Sequence, residues 1–195
     1  MRVVMVTGGE AIAKSLIEEG VDTVFGLPGT HVLGLYAALH DYRDRIKHVL
    51  GRFEPSMGFM ADGYARASGR VGVVIVTAGP GATGLVTPLA QASVEGVPIV
   101  ALAGLTPIRT AGRGYYHEFR DVNAQLNIFK SFTKYAVRVE DPREIPRYWR
   151  GPSGWLGRVG LAQSMWSCLG TLLRVRLSGL AMLGRSPRGL SPTQA

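Results

Sequence analysis

Apolar residues along the first 150 positions recur in two rhythms, short continuous runs and three-and-four spacings, and the two alternate. The runs at 21–25, 47–50, 71–76 and 98–103 predict strands. The run at 71–76 is nearly continuous valine and isoleucine, the pattern of a strand covered on both faces in a parallel sheet. Between the runs lie helical patterns. Thr7-Gly8-Gly9-Glu10 matches a capping box, Ile12 and Leu16 share the face that follows, and Gly20 supplies a stop. Further helices are expected over 32–39, over 54–67 with Met57, Met60 and Tyr64 spaced for burial, and over 82–94. Residues 131–139 predict one more strand, and Pro142 opens a last helix. Strand–helix alternation at this spacing predicts an α/β fold, a parallel sheet flanked by helices on both faces.

Composition narrows the class. The chain has 195 residues, room for one domain or one domain and a tail. With 46% hydrophobic and 18% charged residues it can bury a real core, which excludes a mainly disordered or collagen-like protein. One cysteine, Cys168, excludes a disulfide framework and a Cys-rich zinc site. The opening apolar run is too short for a signal peptide, and no run reaches the roughly 18 apolar residues of a membrane span. A cytoplasmic protein is expected. The net charge of +8 invites a nucleic-acid partner, but its distribution does not support one. Residues 1–150 carry 17 Lys and Arg against 14 Asp and Glu, while 151–195 carry 5 Arg and no acid. Those arginines are scattered among Gly, Ser and Leu, without a basic helix face or interleaved aromatics.

Two glycine-rich turns follow predicted strands, Gly26-Leu27-Pro28-Gly29 and Ala78-Gly79-Pro80-Gly81-Ala82-Thr83-Gly84. Glycine lets a backbone approach a ligand closely, and open parallel sheets bind ligands beyond the carboxyl ends of their strands. Read alone, each turn fits a tight strand-to-helix connection equally well. Neither is a P-loop, because no Gly-Lys-Ser/Thr follows. Glu54 sits after a strand, where a helix begins, and taken singly is accounted for as a helix-start carboxylate. His31 taken singly is a helix-start residue, and His117 with Glu118 fits a solvated loop spanning 112–127. No HExxH, Cys/His spacing or nucleophile elbow occurs, so no metal ligand is expected in this chain.

Taken together, these residues resemble the N-terminal pyrimidine-binding domain of thiamine diphosphate enzymes of the acetolactate synthase type. The matching pieces, in order, are Phe25-Gly26-Leu27-Pro28-Gly29, Arg52-Phe53-Glu54, Met60-Ala61-Asp62-Gly63-Tyr64-Ala65-Arg66 and Thr77-Ala78-Gly79-Pro80-Gly81-Ala82-Thr83-Gly84. Val97-Pro98-Ile99-Val100, Tyr116-His117-Glu118 and Ser131-Phe132-Thr133-Lys134-Tyr135 complete the set, which covers about 3–148. The resemblance implies that Glu54 is the catalytic carboxylate, hydrogen-bonding N1′ of the aminopyrimidine so that the cofactor can attack a 2-oxo acid. Pro28, Gly29, Thr77, Gly79, Pro80 and Gly81 would bind the pyrimidine half of thiamine diphosphate, and His31 and His117 would face the substrate. It further implies Mg²⁺ and the diphosphate on a separate C-terminal domain, and a homodimer or higher oligomer with the cofactor between subunits. This chain has no Gly-Asp-Gly…Asn motif for that second half. It also departs from the family at Phe53, where histidine is common, and at Gly84, where asparagine is common. Alone it is expected to bind cofactor poorly and to catalyse nothing. A separate subunit carrying the diphosphate domain, as in some split decarboxylases, and a non-enzymatic partner-binding module are the alternatives.

After Arg150 the character changes. Residues 151–195 hold 8 Gly, 9 Leu and 6 Ser with poor periodicity, so the domain is expected to span 1–148 and 149–195 to be an irregular basic tail. Read one base out of register, codons permitted for 149–173 include a run ending Gly-Gly-Pro-Gly-Pro-Val-His-Val-Glu-Leu-Pro-Arg-Asp-Val-Val. That resembles the turn and last strand with which this family's first domain closes. Out-of-frame translation from about residue 149 is the expectation, with the closing strand missing.

Overall fold

The computed structural model describes residues 5–145, 164–169 and 175–176. In chain order these form β1 (Met5–Val6), α1 (Gly8–Glu18), β2 (Thr23–Gly26), α2 (Leu33–Asp41), β3 (Lys47–Leu50), α3 (Glu54–Ser68) and β4 (Gly72–Val76). The short α4 (Pro80–Thr83), α5 (Val86–Glu95), β5 (Ile99–Leu105), α6 (Ala124–Lys130), β6 (Tyr135–Val139), β7 (Ser164–Leu169) and β8 (Val175–Arg176) follow. Six strands make one sheet in the order β3-β2-β4-β5-β7-β6, every pair parallel. β1 pairs with β8 in a separate antiparallel ribbon.

Strand alternation divides the core between the two faces of the sheet. Val73 and Ile75 of β4 and Val100 and Leu102 of β5 pack with Ile12 and Leu16 of α1 and Leu35 and Leu39 of α2. Their neighbours Val74, Val76, Ile99, Ala101 and Ala103 pack on the other side with Met57 and Ala61 of α3, Leu89 of α5 and Phe129 of α6. Both central strands are buried at every position, as a parallel strand covered on both sides requires. The expected capping box closes α1: Thr7 Oγ1 accepts from the Glu10 N–H at 3.1 Å, and the Glu10 carboxylate accepts from the Thr7 N–H at 2.6 Å.

Several expectations are corrected. Residues 82–94 are not one helix but α4 and α5, separated at Gly84 and Leu85. The restart puts Pro88 in the first turn of α5, where the missing N–H leaves no helical bond unmade. The strand expected over 131–139 begins only at Tyr135, because Thr133 still donates its N–H and its hydroxyl to Phe129 O of α6. α6 itself spans the end of the segment read as a loop. Pro142 opens a 3-10 turn, Pro142–Glu144, and the rest of the helix expected there lies, beyond Ile145, outside the described residues. Met60 is 44% exposed, because α3 turns the Met57, Ala61, Ala65 face to the sheet. Apart from these corrections, the described residues of the segment after 148 are β7 and β8, and β7 occupies the sheet position between β5 and β6.

The division of the core predicts a contrast along α5. Leu89→Ala, at a fully buried position, should lower the unfolding free energy by about 2–5 kcal/mol, while Val94→Ala, at a position 88% exposed, should change it by less than about 0.5 kcal/mol. Urea denaturation of the two variants checks this.

Candidate functional site

β2 and β4 are adjacent although β3 lies between them in the chain. From β2 the chain leaves through α2 on one face, and from β4 through α4 and α5 on the other. The sheet therefore has its topological switch between β2 and β4, and ligands of open α/β sheets bind at the carboxyl ends of the strands there. The two glycine-rich turns leave from those ends, side by side. Leu27 donates its N–H to Ile75 O at 3.2 Å, stitching the first turn to the end of β4.

The glycines are required by contact. A Cβ on Gly29 would stand 2.5 Å from Thr77 Cβ, and one on Gly81 would stand 2.7 Å from Thr77 Cγ2 and 3.6 Å from Glu54 Oε1. Gly79 has φ 61° and ψ −117°, a left-handed conformation, and a Cβ there would stand 2.5 Å from His117 O. Gly84, which replaces the asparagine common in the family the sequence resembles, leaves room for Glu54, whose Cβ lies 2.9 Å from where a Gly84 Cβ would stand. Pro28 and Pro80 are exposed at the rims of the two turns.

Glu54 opens α3. Its side chain is half-buried and makes no hydrogen bond or ion pair with any described residue. Phe53 beside it is exposed. His31 lies in the 3-10 turn Thr30–Val32. It is buried, with Nδ1 3.2 Å from Thr77 Oγ1 and Nε2 without a hydrogen-bond partner among the described residues. Burial first, and the neighbouring His117 second, hold its imidazole below the ordinary value of 6.5. His117 has φ 65°, the only positive φ among described residues other than glycine, and its buried Nδ1 also lacks a partner. The rings of His31 and His117 lie 5.8 Å apart, and Tyr116 stacks on His117 at 3.7 Å with its outer face open to solvent. All the residues singled out in the sequence thus gather at one end of the sheet.

Two further residues shape this end of the sheet, of which Gln125 escaped the sequence reading. Glu118 forms no acid/base couple with His117; it accepts N–H bonds from Gly112 at 2.7 Å and Tyr115 at 3.0 Å and a hydroxyl bond from Thr106 at 3.2 Å. Burial pushes its carboxyl up, but the backbone donors outweigh burial and hold it below the ordinary range. It organises the loop that carries His117. Gln125 of α6 is buried, accepts the Gly79 N–H and donates to Gly104 O, both at 3.0 Å. Its only signal in the sequence is a glutamine in a helical apolar pattern. Among the described residues no three His, Cys, Asp or Glu side chains gather to hold a metal ion, and no helix is long and apolar enough to cross a membrane.

At the switch point of this open α/β sheet the glycine turns thus meet an unpaired carboxylate and two imidazole nitrogens without partners among the described residues. Residues 6–125 match the family described as "Thiamine pyrophosphate enzyme, N-terminal TPP binding domain", and the chain belongs to that family. It is 44% identical over 140 residues to the mitochondrial acetolactate synthase catalytic subunit of Saccharomyces cerevisiae, covering 72% of this chain and 20% of that protein. It is 40% identical over 160 residues to the acetolactate synthase isozyme 3 large subunit of Escherichia coli, covering 80% of this chain and 27% of that one. The "Probable 2-ketoarginine decarboxylase AruI" of Pseudomonas aeruginosa is 40% identical over 142 residues, covering 72% of this chain and 24% of that one. The chain thus corresponds to the N-terminal thiamine diphosphate-binding domain of acetolactate synthase-like enzymes, and spans about a quarter or less of the length of the curated relatives it matches.

The lowered imidazole at His31 predicts a pH dependence. Between its folded value and the unfolded value near 6.5, the unfolded chain binds more protons. The stability contribution is therefore full above about pH 6.5 and is lost as pH falls through the folded value. His48, also held low by burial, acts in the same sense. Urea midpoints should fall from pH 7.5 to pH 5, and His31→Gln should reduce that fall.

Proposed function

We propose that this chain is the pyrimidine-binding part of a thiamine diphosphate enzyme that acts on 2-oxo acids, by decarboxylation or by joining two carbon units. The observation that carries this reading is the unpaired, half-buried Glu54 carboxylate set against Gly81 and Thr77. A ring placed there finds backbone without side chains at Gly29, Gly79 and Gly81, walls at Thr77, Pro28 and Pro80, and an acceptor or donor at Glu54. When bound, thiamine diphosphate would supply the nucleophile and, in its cationic thiazolium ring, the electron sink that decarboxylation of a 2-oxo acid needs. Glu54 would hold a proton at N1′ of the pyrimidine and so set the charge of that ring. His31 Nε2 and His117 Nδ1, both buried and without partners, are the groups available to hydrogen-bond substrate oxygens. Glu118 keeps His117 in place through the loop.

The diphosphate and its Mg²⁺ would be held elsewhere, on a further domain or a partner subunit of a homodimer or higher oligomer, since this chain offers the pyrimidine half alone. We also propose that 149–195 is out-of-frame translation. The shifted reading sets its Val-His-Val-Glu-Leu run over codons 163–168, the same stretch in which β7, Ser164–Leu169, lies. A second reading is favoured by β7 itself: with this strand beside β5 and β6, the sheet of the chain as given has no gap, as a stand-alone pyrimidine-domain subunit would require. Resequencing the genomic DNA from codon 140 to several hundred bases past codon 195 separates the two. Continuation of the shifted frame into a Gly-Asp-Gly…Asn motif supports the first reading, and closure of the frame as given supports the second.

Two outcomes test the chemistry. In the enzyme completed by its remaining domains or partner, Glu54→Gln should lower turnover at least about 100-fold with circular dichroism unchanged; near-normal turnover would remove Glu54 from the mechanism. By calorimetry, the isolated chain should show little thiamine diphosphate binding with Mg²⁺ present, and micromolar affinity would overturn the half-site reading.

A further inference from the structure

We infer that Gln125 is a positioning residue that sets the Gly79-Pro80-Gly81 turn and the two histidines against one another; its importance for the cofactor rests on the reading of that turn given above. The turn has a backbone problem. Gly79 leaves β4 with φ 61° and ψ −117°, so its buried N–H can join neither the sheet ladder nor a helix. A buried donor left unpaired costs roughly 1–3 kcal/mol. Gln125 Oε1 accepts that N–H, and Gln125 Nε2 donates to Gly104 O near the end of β5. One planar amide thus ties the turn after β4 to the neighbouring strand.

The two tied peptides are also those on which the histidines rest. His117 O occupies the space a Gly79 Cβ would need, and His31 Cβ occupies the space a Gly104 Cβ would need, each 2.5 Å from the ideal position. A shift of Gly79 relative to Gly104 therefore moves His117 relative to His31, whose rings are 5.8 Å apart. Only a side chain with an acceptor and a donor on one planar group satisfies both peptides at once. Methionine fills similar space with neither group in place. A glutamate supplies both when protonated, and loses the donor when ionised.

The experiment uses the whole chain, ¹⁵N-labelled, as wild type, Gln125→Met and Gln125→Glu, with amide-exchange protection, the Leu105 amide shift and the His31 and His117 ring resonances read by NMR. Gln125→Met should lower protection of the Gly79 N–H by about tenfold and move the His31 and His117 ring resonances at pH 8, with amides of α1 and α2 unchanged. At pH 8 the ionised carboxylate of Gln125→Glu still accepts the Gly79 N–H, so protection there should persist, but it cannot donate to Gly104 O. The Leu105 amide, on the same peptide as that oxygen, should shift and return to its wild-type position as pH falls and the carboxyl takes up its proton. Should Gln125→Met fail to fold, this pH-dependent rescue carries the test by itself. Unchanged Gly79 protection in Gln125→Met, or a Leu105 amide in Gln125→Glu that acid does not return to its wild-type position, overturns the inference. A separate titration of wild type with 4-amino-2-methylpyrimidine tests the underlying assignment. Absence of shifts at the Gly79 and Gly81 amides up to tens of millimolar would overturn the pyrimidine reading, while the exchange result still decides the role of Gln125.

Discussion

The pairing of β2 with β4 is the constraint on which the site depends. Phe25 lies opposite Val74 and Gly26 opposite Ile75, so two turns about fifty residues apart in the chain leave the sheet as neighbours. Reversal of the chain's direction across the sheet at this point keeps helices off the strand ends and leaves a crevice between them. β3 is then left as the edge next to β2, and α3 returns from it to β4 carrying Glu54 on its first residue. Moving β3 between β2 and β4 would separate Gly29 from Thr77 and dissolve the cradle.

Inside the crevice the chain gives up side-chain volume to bring backbone close. Gly29, Gly81 and Gly84 border Thr77 and Glu54 at distances no Cβ could share, and Gly79 adopts a conformation that L side chains rarely take. That close approach leaves polar groups short of partners. Gln125 answers for the Gly79 N–H, and Glu118 for the N–H groups of Gly112 and Tyr115. His31 Nε2 and His117 Nδ1 are left without partners, and Glu54 without any. Scaffold N–H groups are thus satisfied by the side chains of Gln125 and Glu118, while Glu54 and one nitrogen of each histidine are left open at the same end of the sheet.

How much of this was legible depends on how local the cause is. The capping box at Thr7 and Glu10, the continuous apolar run of β4 and the start of α3 at Glu54 follow from neighbouring residues and match the structure. The division of 82–94 into α4 and α5 escaped because apolar spacing alone carries no mark of a break, although Gly84 and Pro88 were both there to read. α6 escaped because seven residues give barely two turns of periodicity. The burial of Met57 with the exposure of Met60 reflects which side of α3 meets β4, a choice that spacing narrows but does not make.

By itself, the sequence determined the alternation of strands and helices, the glycines where the backbone must pass close, and the carboxylate and histidines among which chemistry is available. These are properties of short stretches, set by side-chain pattern and by the freedom of single residues. Tertiary structure alone decided the strand order β3-β2-β4-β5-β7-β6, and with it the meeting of His31 with His117 and of Gly79 with Gln125. The reason is physical. Local propensity fixes which segments become strands, but strand order follows from burying both faces of one sheet, a condition that involves every element at once.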